Sequence, residues 1–334
     1  MNNSSKYKTI RLFLLLVIMM PFLNSCRQAG KEVSEGIIKK GARILSINIG
    51  EEISEKVSRQ IAKENLSEVA KKELRSDISK YKVLRRLFET NTNTLKAYKE
   101  LSHLPEKFRT DERLIKWRLF NMERPENTLR KDFHKISLVP DELNQKLLLK
   151  QDGKIVGEYA NGVVKCRAGR ALPGTSKTVV NKFLNAELIP NTSYIVDNKF
   201  VYKTDNLGRV FSSNNIKPLT LVDRGRDIRT QSWVNTVKNG ILREGRGESD
   251  NAGHAIAQRL DGPSEMINFF PQLPAMNIGD WKTMENTLVK AVQDGKKVFI
   301  KQTFHYADGS MRPSSIRVEY RINKGIPRVL NFNN

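Results

Sequence analysis

The stretch Ser249-Asp-Asn-Ala-Gly-His254-Ala-Ile-Ala-Gln-Arg259-Leu-Asp-Gly-Pro-Ser-Glu-Met-Ile-Asn268-Phe-Phe-Pro-Gln272-Leu-Pro-Ala-Met-Asn277-Ile-Gly-Asp-Trp281-Lys-Thr-Met-Glu285 holds the densest run of chemistry-bearing residues in the chain. Gly253 lets the backbone come close, so His254 can stand exposed at the end of an extended segment. Asn268, Gln272 and Asn277 follow on loop-like sequence. A helix is expected from Trp281 to Gln293, because Trp281, Met284, Leu288 and Val292 share one face. Asp280 is placed to cap it, and Glu285 sits a turn inside.

Outward from this stretch the pattern is one of strands. Lys154–Tyr159, Gly162–Cys166 and the run Ser193-Tyr-Ile-Val-Asp-Asn-Lys-Phe-Val-Tyr202 have strand character. Turn signals at Asp152-Gly153, Asp197-Asn198 and Asn206-Leu-Gly208 punctuate them. Towards the C-terminus, Lys297–Tyr306 and Ser315–Ile322 flank Asp308-Gly309 and predict an antiparallel pair.

The first third reads as helix. Ile53, Val57, Ile61, Leu66, Val69, Leu74 and Ile78 recur every three to five positions with Lys, Glu and Arg between them. Further amphipathic stretches cover Tyr81–Leu104 and Asp111–Met122, the latter with Thr110 as expected N-cap. Residues 123–150, with Pro125 and Pro140, read as a linker. The expected fold class is therefore α+β. A helical region (26–122) and a linker (123–150) precede a domain (151–334) built on a central antiparallel sheet.

The chain has 334 residues, with 58 Lys and Arg against 36 Asp and Glu, a formal net charge of +22. Such a surplus binds polyanions by counterion release, which puts nucleic acid first among partners, ahead of anionic lipid or polysaccharide. The balance of 39% hydrophobic and 28% charged residues excludes a wholly disordered chain or a multi-span membrane protein. Two cysteines, Cys26 and Cys166, are too few for a disulfide scaffold or a thiolate zinc site. The N-terminus carries Lys6, Lys8 and Arg11, then the apolar run Leu12–Leu23, then Asn24-Ser25-Cys26. This is the layout of a secretory signal, and the run is short of the ~20 residues that span a bilayer. Leu-Asn-Ser-Cys resembles a bacterial lipobox. That implies a lipoprotein signal peptide over 1–25, a lipidated Cys26, and anchoring to the bacterial envelope, at the outer membrane or cell surface. With an ordinary signal the chain would simply be secreted.

Phosphodiester hydrolysis needs a base to activate water and a positive centre for charge on the phosphate. A histidine, an amide oxygen and a supporting carboxylate can supply these together with one divalent cation. Mg²⁺ suits an Asn oxygen, because it keeps most of its waters and asks few ligands of the protein.

The motif resembles the DNA/RNA non-specific endonuclease family, whose active site is a ββα-metal finger. In that family Asn-x-x-Pro-Gln follows the catalytic histidine, with a second Asn nine residues after the first and a Glu eight further on. Here Asn268-Phe-Phe-Pro271-Gln272, Asn277 and Glu285 keep both intervals. The resemblance implies His254 as general base, Asn277 as direct ligand of Mg²⁺ or another divalent cation such as Mn²⁺, and Glu285 as the carboxylate that orders metal-bound water. Asn268 joins the catalytic set, more as a holder of the loop than as a metal ligand. Val201-Tyr-Lys-Thr-Asp205-Asn-Leu-Gly208-Arg209 resembles the family's entry strands, and Gly245–His254 its bacterial secreted and toxin-like branch. Ala252 departs from the pattern, standing where many members carry arginine. Arg246 and Arg259 are nearby substitutes for phosphate binding.

The expected function is a Mg²⁺-dependent endonuclease acting on both DNA and RNA. An immunity protein would be a partner if its role is toxicity. The alternative is a catalytically inactive nucleic-acid-binding lipoprotein.

Overall fold

The structure, a computed structural model, describes residues 55, 57–59, 61–62, 66–123, 136–171, 178–222, 250–307 and 309–334. The chain divides into two compact units, residues 1–75 with 88–90, and residues 76–87 with 91–334. In the first, Arg59 pairs with Glu55 one helical turn away.

The described helices before the sheet are α1 (Glu68–Lys80), α2 (Lys82–Thr90), α3 (Thr94–Leu101), α4 (Glu106–Arg109) and α5 (Glu112–Glu123). The stretch expected to run from Tyr81 to Leu104 is broken at Asn91. Its side-chain oxygen accepts from the Asn93 N–H at 2.8 Å, a local bond that competes with helix continuation. Asp111, not Thr110, starts α5: its carboxylate accepts from the Arg113 N–H at 3.0 Å.

A ten-stranded sheet dominates the second unit. Its strands are β1 (Ile136–Asp141), β2 (Lys146–Gln151), β3 (Lys154–Ala160), β4 (Val163–Cys166), β7 (Ser193–Val196), β8 (Phe200–Thr204), β9 (Val210–Asn215), β12 (Val298–Tyr306), β13 (Pro313–Ile322) and β14 (Arg328–Asn333). They lie in the order β1-β2-β3-β4-β7-β8-β9-β12-β13-β14. Every pairing is antiparallel except β4 with β7. The short strands β5 (Arg170–Ala171) and β6 (Thr178–Val179) pair apart from it.

The alternation of side chains explains the sheet. Tyr194 and Val196 on β7, Phe200 and Tyr202 on β8, and Val298, Ile300 and Phe304 on β12 are all buried. Lys203, Lys301, His305 and Arg317 point to solvent on the other face, the one-sided burial common in antiparallel sheets. Asp152-Gly153 and Asn161-Gly162 both have positive φ at each residue and close two-residue hairpins.

Residues 136–150 are not a linker. Leu147-Leu-Leu149 forms the middle of β2, with Leu147 and Leu149 buried on the sheet. Nor do the helices of this unit stand apart from the sheet. The Trp117 indole N–H donates to the Glu187 carbonyl at 2.6 Å, and its ring meets Phe183 edge-on at 5.7 Å. Asp111 also accepts from the Tyr159 hydroxyl of β3. Trp117 is fully buried, which is worth about 2–3 kcal/mol for a large apolar side chain. Burial pushes the Tyr159 hydroxyl well above its usual range, and the Asp111 charge adds to this.

Candidate active site

Between β9 and β12 the chain leaves the sheet and builds a ribbon followed by helix. β10 (Asn251–His254) pairs antiparallel with β11 (Phe269–Gln272), and α6 (Pro274–Ile278) and α7 (Asp280–Gln293) follow. The order is strand, strand, helix. α6 packs against β10, and α7 packs against β12.

His254 ends β10, half-buried, directly across from Phe269 with the ring centroids 4.3 Å apart. Gly253 is required by close packing. A Cβ there would lie 2.8 Å from Cδ and 2.9 Å from Cβ of Gln272. Gln272 of β11 is fully buried, and neither of its side-chain amide atoms has a hydrogen-bond partner among the described residues.

Asn268 is fully buried, and its amide is spent on protein. Oδ1 accepts from the Tyr202 hydroxyl and from the Ile256 N–H, both at 2.9 Å. Nδ2 donates to the Ile256 and Pro263 carbonyls, both at 2.8 Å. An amide with four such bonds has nothing left for metal or phosphate. Asn268 therefore does not belong in a catalytic set. It ties the loop after His254 to β8.

Asn277 lies half-buried on α6, and its side-chain amide has no partner among the described residues. Glu285 is half-buried on α7 and accepts from the Trp281 indole N–H at 3.2 Å. Asp280 is not the cap: it is the first helical residue, and the N-cap position is Gly279, which has no side chain to make a cap bond. Trp281 is buried in an aromatic cluster with Phe270 (5.4 Å) and Phe332 (5.0 Å), and Phe270 meets Phe304 of β12 at 5.2 Å. Phe270 pairs with Gly253, so Glu285 is joined through Trp281 and Phe270 to the strand that carries His254. Ribbon and helix form one packed piece bearing His254, Asn277 and Glu285.

Two further anchors have no counterpart in the motif reading. Arg312 grips buried Asp250, just before β10, with bonds of 2.8 and 3.1 Å. Asn334 donates to the carbonyls of Pro271 and Pro313, and accepts from the Leu273 N–H, all at 2.8 Å. A polar residue at an inward strand position is the signal that could have flagged another, Gln302, which alternates with Ile300 and Phe304.

Arg259 is exposed, in the turn beyond His254. Arg246, Cys26 and the signal segment lie outside the described residues, as does His134. His305 is exposed, and His103 lies 3.4 Å from the Leu138 carbonyl. Cys166 is free and buried, and burial raises its thiol far above the usual range, which makes it a poor nucleophile. Among the described residues no group of three or more His, Cys, Asp or Glu could hold a metal. A half-buried amide with no partner among the described residues and a carboxylate on the next helix instead fit a cation that keeps most of its water.

Residues 190–324 match the family model described as DNA/RNA non-specific endonuclease. The type VII secretion system protein EssD of Staphylococcus aureus (strain USA300) is 30% identical over 153 residues, 43% of this chain and 24% of that protein. The probable deoxyribonuclease RhsA of Dickeya dadantii (strain 3937) is 32% identical over 90 residues, 27% of this chain and 6% of that protein. The chain thus spans about a quarter or less of the curated relatives it matches.

Proposed function

We propose that this chain, whose residues 190–324 match the DNA/RNA non-specific endonuclease model, hydrolyses phosphodiester bonds of DNA and RNA with His254 as general base. The observation that carries this reading is the packed ribbon and helix on which His254, Asn277 and Glu285 stand. The name of RhsA points to DNA as one substrate class.

The phosphate backbone is drawn in by the positive surplus of the chain, with exposed Arg259 close beyond His254. The His254 imidazole takes a proton from a water molecule. That water's oxygen forms a bond to phosphorus, the phosphorus–oxygen ester bond breaks, and the leaving oxygen gains a proton from solvent. Asn277 would hold a divalent cation through its amide oxygen, and Glu285 would orient the surrounding water. The cation, when bound, neutralises charge developing on the phosphate and leaving oxygen.

The location that suits an indiscriminate nuclease is outside the cytoplasm, tethered through acylated Cys26 or secreted. Among the described residues no helix is long and apolar enough to cross a membrane. If the role is toxicity, the producing cell needs an immunity protein against this domain. Plasmid nicking by the purified chain, with and without EDTA, tests the function. Nicking that EDTA stops supports it, and no nicking with Mg²⁺ or Mn²⁺ rejects it.

A further inference from the structure

We propose that Gln302, oriented by Ser213, is a positioning residue for His254. The inference rests on the reading of His254 as general base, and it concerns what holds that base in place.

Gln302 occupies an inward position of β12 between Ile300 and Phe304, and it is fully buried, as is Ser213 on the neighbouring strand β9. The Ser213 hydroxyl donates to the Gln302 amide oxygen at 2.6 Å. That bond fixes which way the amide faces, leaving Nε2 to donate to the Ala255 carbonyl at 2.5 Å. Ala255 directly follows His254. Its own N–H donates to the Asn268 carbonyl at 2.8 Å. Both backbone groups of the residue after the base are therefore held, one by the loop and one by the central sheet.

Burying an amide costs free energy unless its bonds are made, and an apolar side chain would fill this inward position without that cost. What the glutamine adds is direction. With Ala255 fixed on both sides and Gly253 pressed on Gln272, the backbone on either flank of His254 is pinned. These backbone bonds hold the segment that presents the imidazole against Phe269. A general base works only within hydrogen-bond reach of its water, so a displacement of about 1 Å costs up to about 100-fold in rate.

The test compares the full-length wild type with Gln302→Leu, Ser213→Ala and His254→Ala. Turnover and KM are read on a defined oligonucleotide, affinity by binding in EDTA, and the His254–Phe269 ring contact by selectively labelled NMR. We expect Gln302→Leu to lose about 10–100-fold in kcat with KM and affinity unchanged, and to weaken the ring contact. Ser213→Ala should move the same way by less. Unchanged kcat, or an unchanged ring contact, in Gln302→Leu overturns the proposal. So does a parallel loss of kcat and affinity, the mark of a merely structural residue. If wild type cleaves and His254→Ala does not, the base reading stands whatever the Gln302 variants do. If His254→Ala still cleaves, both fall.

Discussion

Tyr202 of β8 and Asn268, the residue just before β11, are 66 residues apart in sequence, yet the phenol hydroxyl donates to the amide oxygen at 2.9 Å with both side chains fully buried. The central sheet thus reaches into the loop that follows the candidate base. Tyr202→Phe removes one donor and leaves Asn268 three bonds, so it should cost about 1 kcal/mol. Asn268→Ala removes all four bonds at once, those to the Tyr202 hydroxyl, the Ile256 N–H and the Ile256 and Pro263 carbonyls. It should cost at least about 3 kcal/mol, since each buried unsatisfied group costs about 1–3. Denaturant unfolding of both variants checks the order. A smaller loss for Asn268→Ala than for Tyr202→Phe contradicts the latch.

His254→Ala should abolish cleavage while leaving nucleic-acid affinity nearly intact. On the proposed mechanism affinity would come from dispersed Lys and Arg, whereas the imidazole would only activate water. Loss of a general base costs about 10²–10⁴-fold in rate. Nicking assays beside filter binding in EDTA separate the two, and wild-type-like nicking sinks the mechanism.

The strands Lys154–Ala160, Ser193–Val196 and Val298–Tyr306 were legible because apolar residues alternate there and turn residues bound them. The helix over Trp281–Gln293 was legible from its apolar stripe, and the order of His254, Asn277 and Glu285 from motif spacing. The hairpin of β1 and β2 was not. Two prolines and many polar residues around Leu147-Leu-Leu149 mask a pair whose stability comes from sheet neighbours. The role of Asn268 was legible only as a loop holder, because its four partners come from β8 and from loop backbone that no local pattern brings together. Gln302 and Arg312 act over 47 and 62 residues, and contacts of that span leave no periodicity in the chain.

Asn277→Ala and Glu285→Ala should both raise the Mg²⁺ concentration needed for half-maximal nicking, Asn277→Ala more. The Asn277 amide on α6 has no partner among the described residues, and its removal would cost a direct oxygen ligand. Glu285, held by Trp281, would lose only water orientation, and such outer contacts typically cost about 10–100-fold. A metal titration of nicking by each variant decides this. The assignment fails if Asn277→Ala keeps the wild-type metal response while Glu285→Ala loses it.

Gly253→Ala drives a Cβ into the Gln272 side chain, which is fully buried on the inner side of the ribbon and has little room to retreat. Overpacking of this kind typically costs about 1–3 kcal/mol. Because Gly253 immediately precedes His254, the relief of that clash should also displace the imidazole, so turnover should fall beyond what the stability loss explains. Gln272→Ala makes space and removes a buried amide that has no hydrogen bond among the described residues, so alone it should destabilise less than a cavity of its size would suggest. The double variant Gly253→Ala with Gln272→Ala should then be more stable than the sum of the two single changes predicts, by about 0.5–3 kcal/mol of coupling. Thermal or urea unfolding of the four proteins closes the cycle. Strict additivity would mean that the backbone at 253 can shift to accept a methyl group, and that Gln272 is not what demands glycine there.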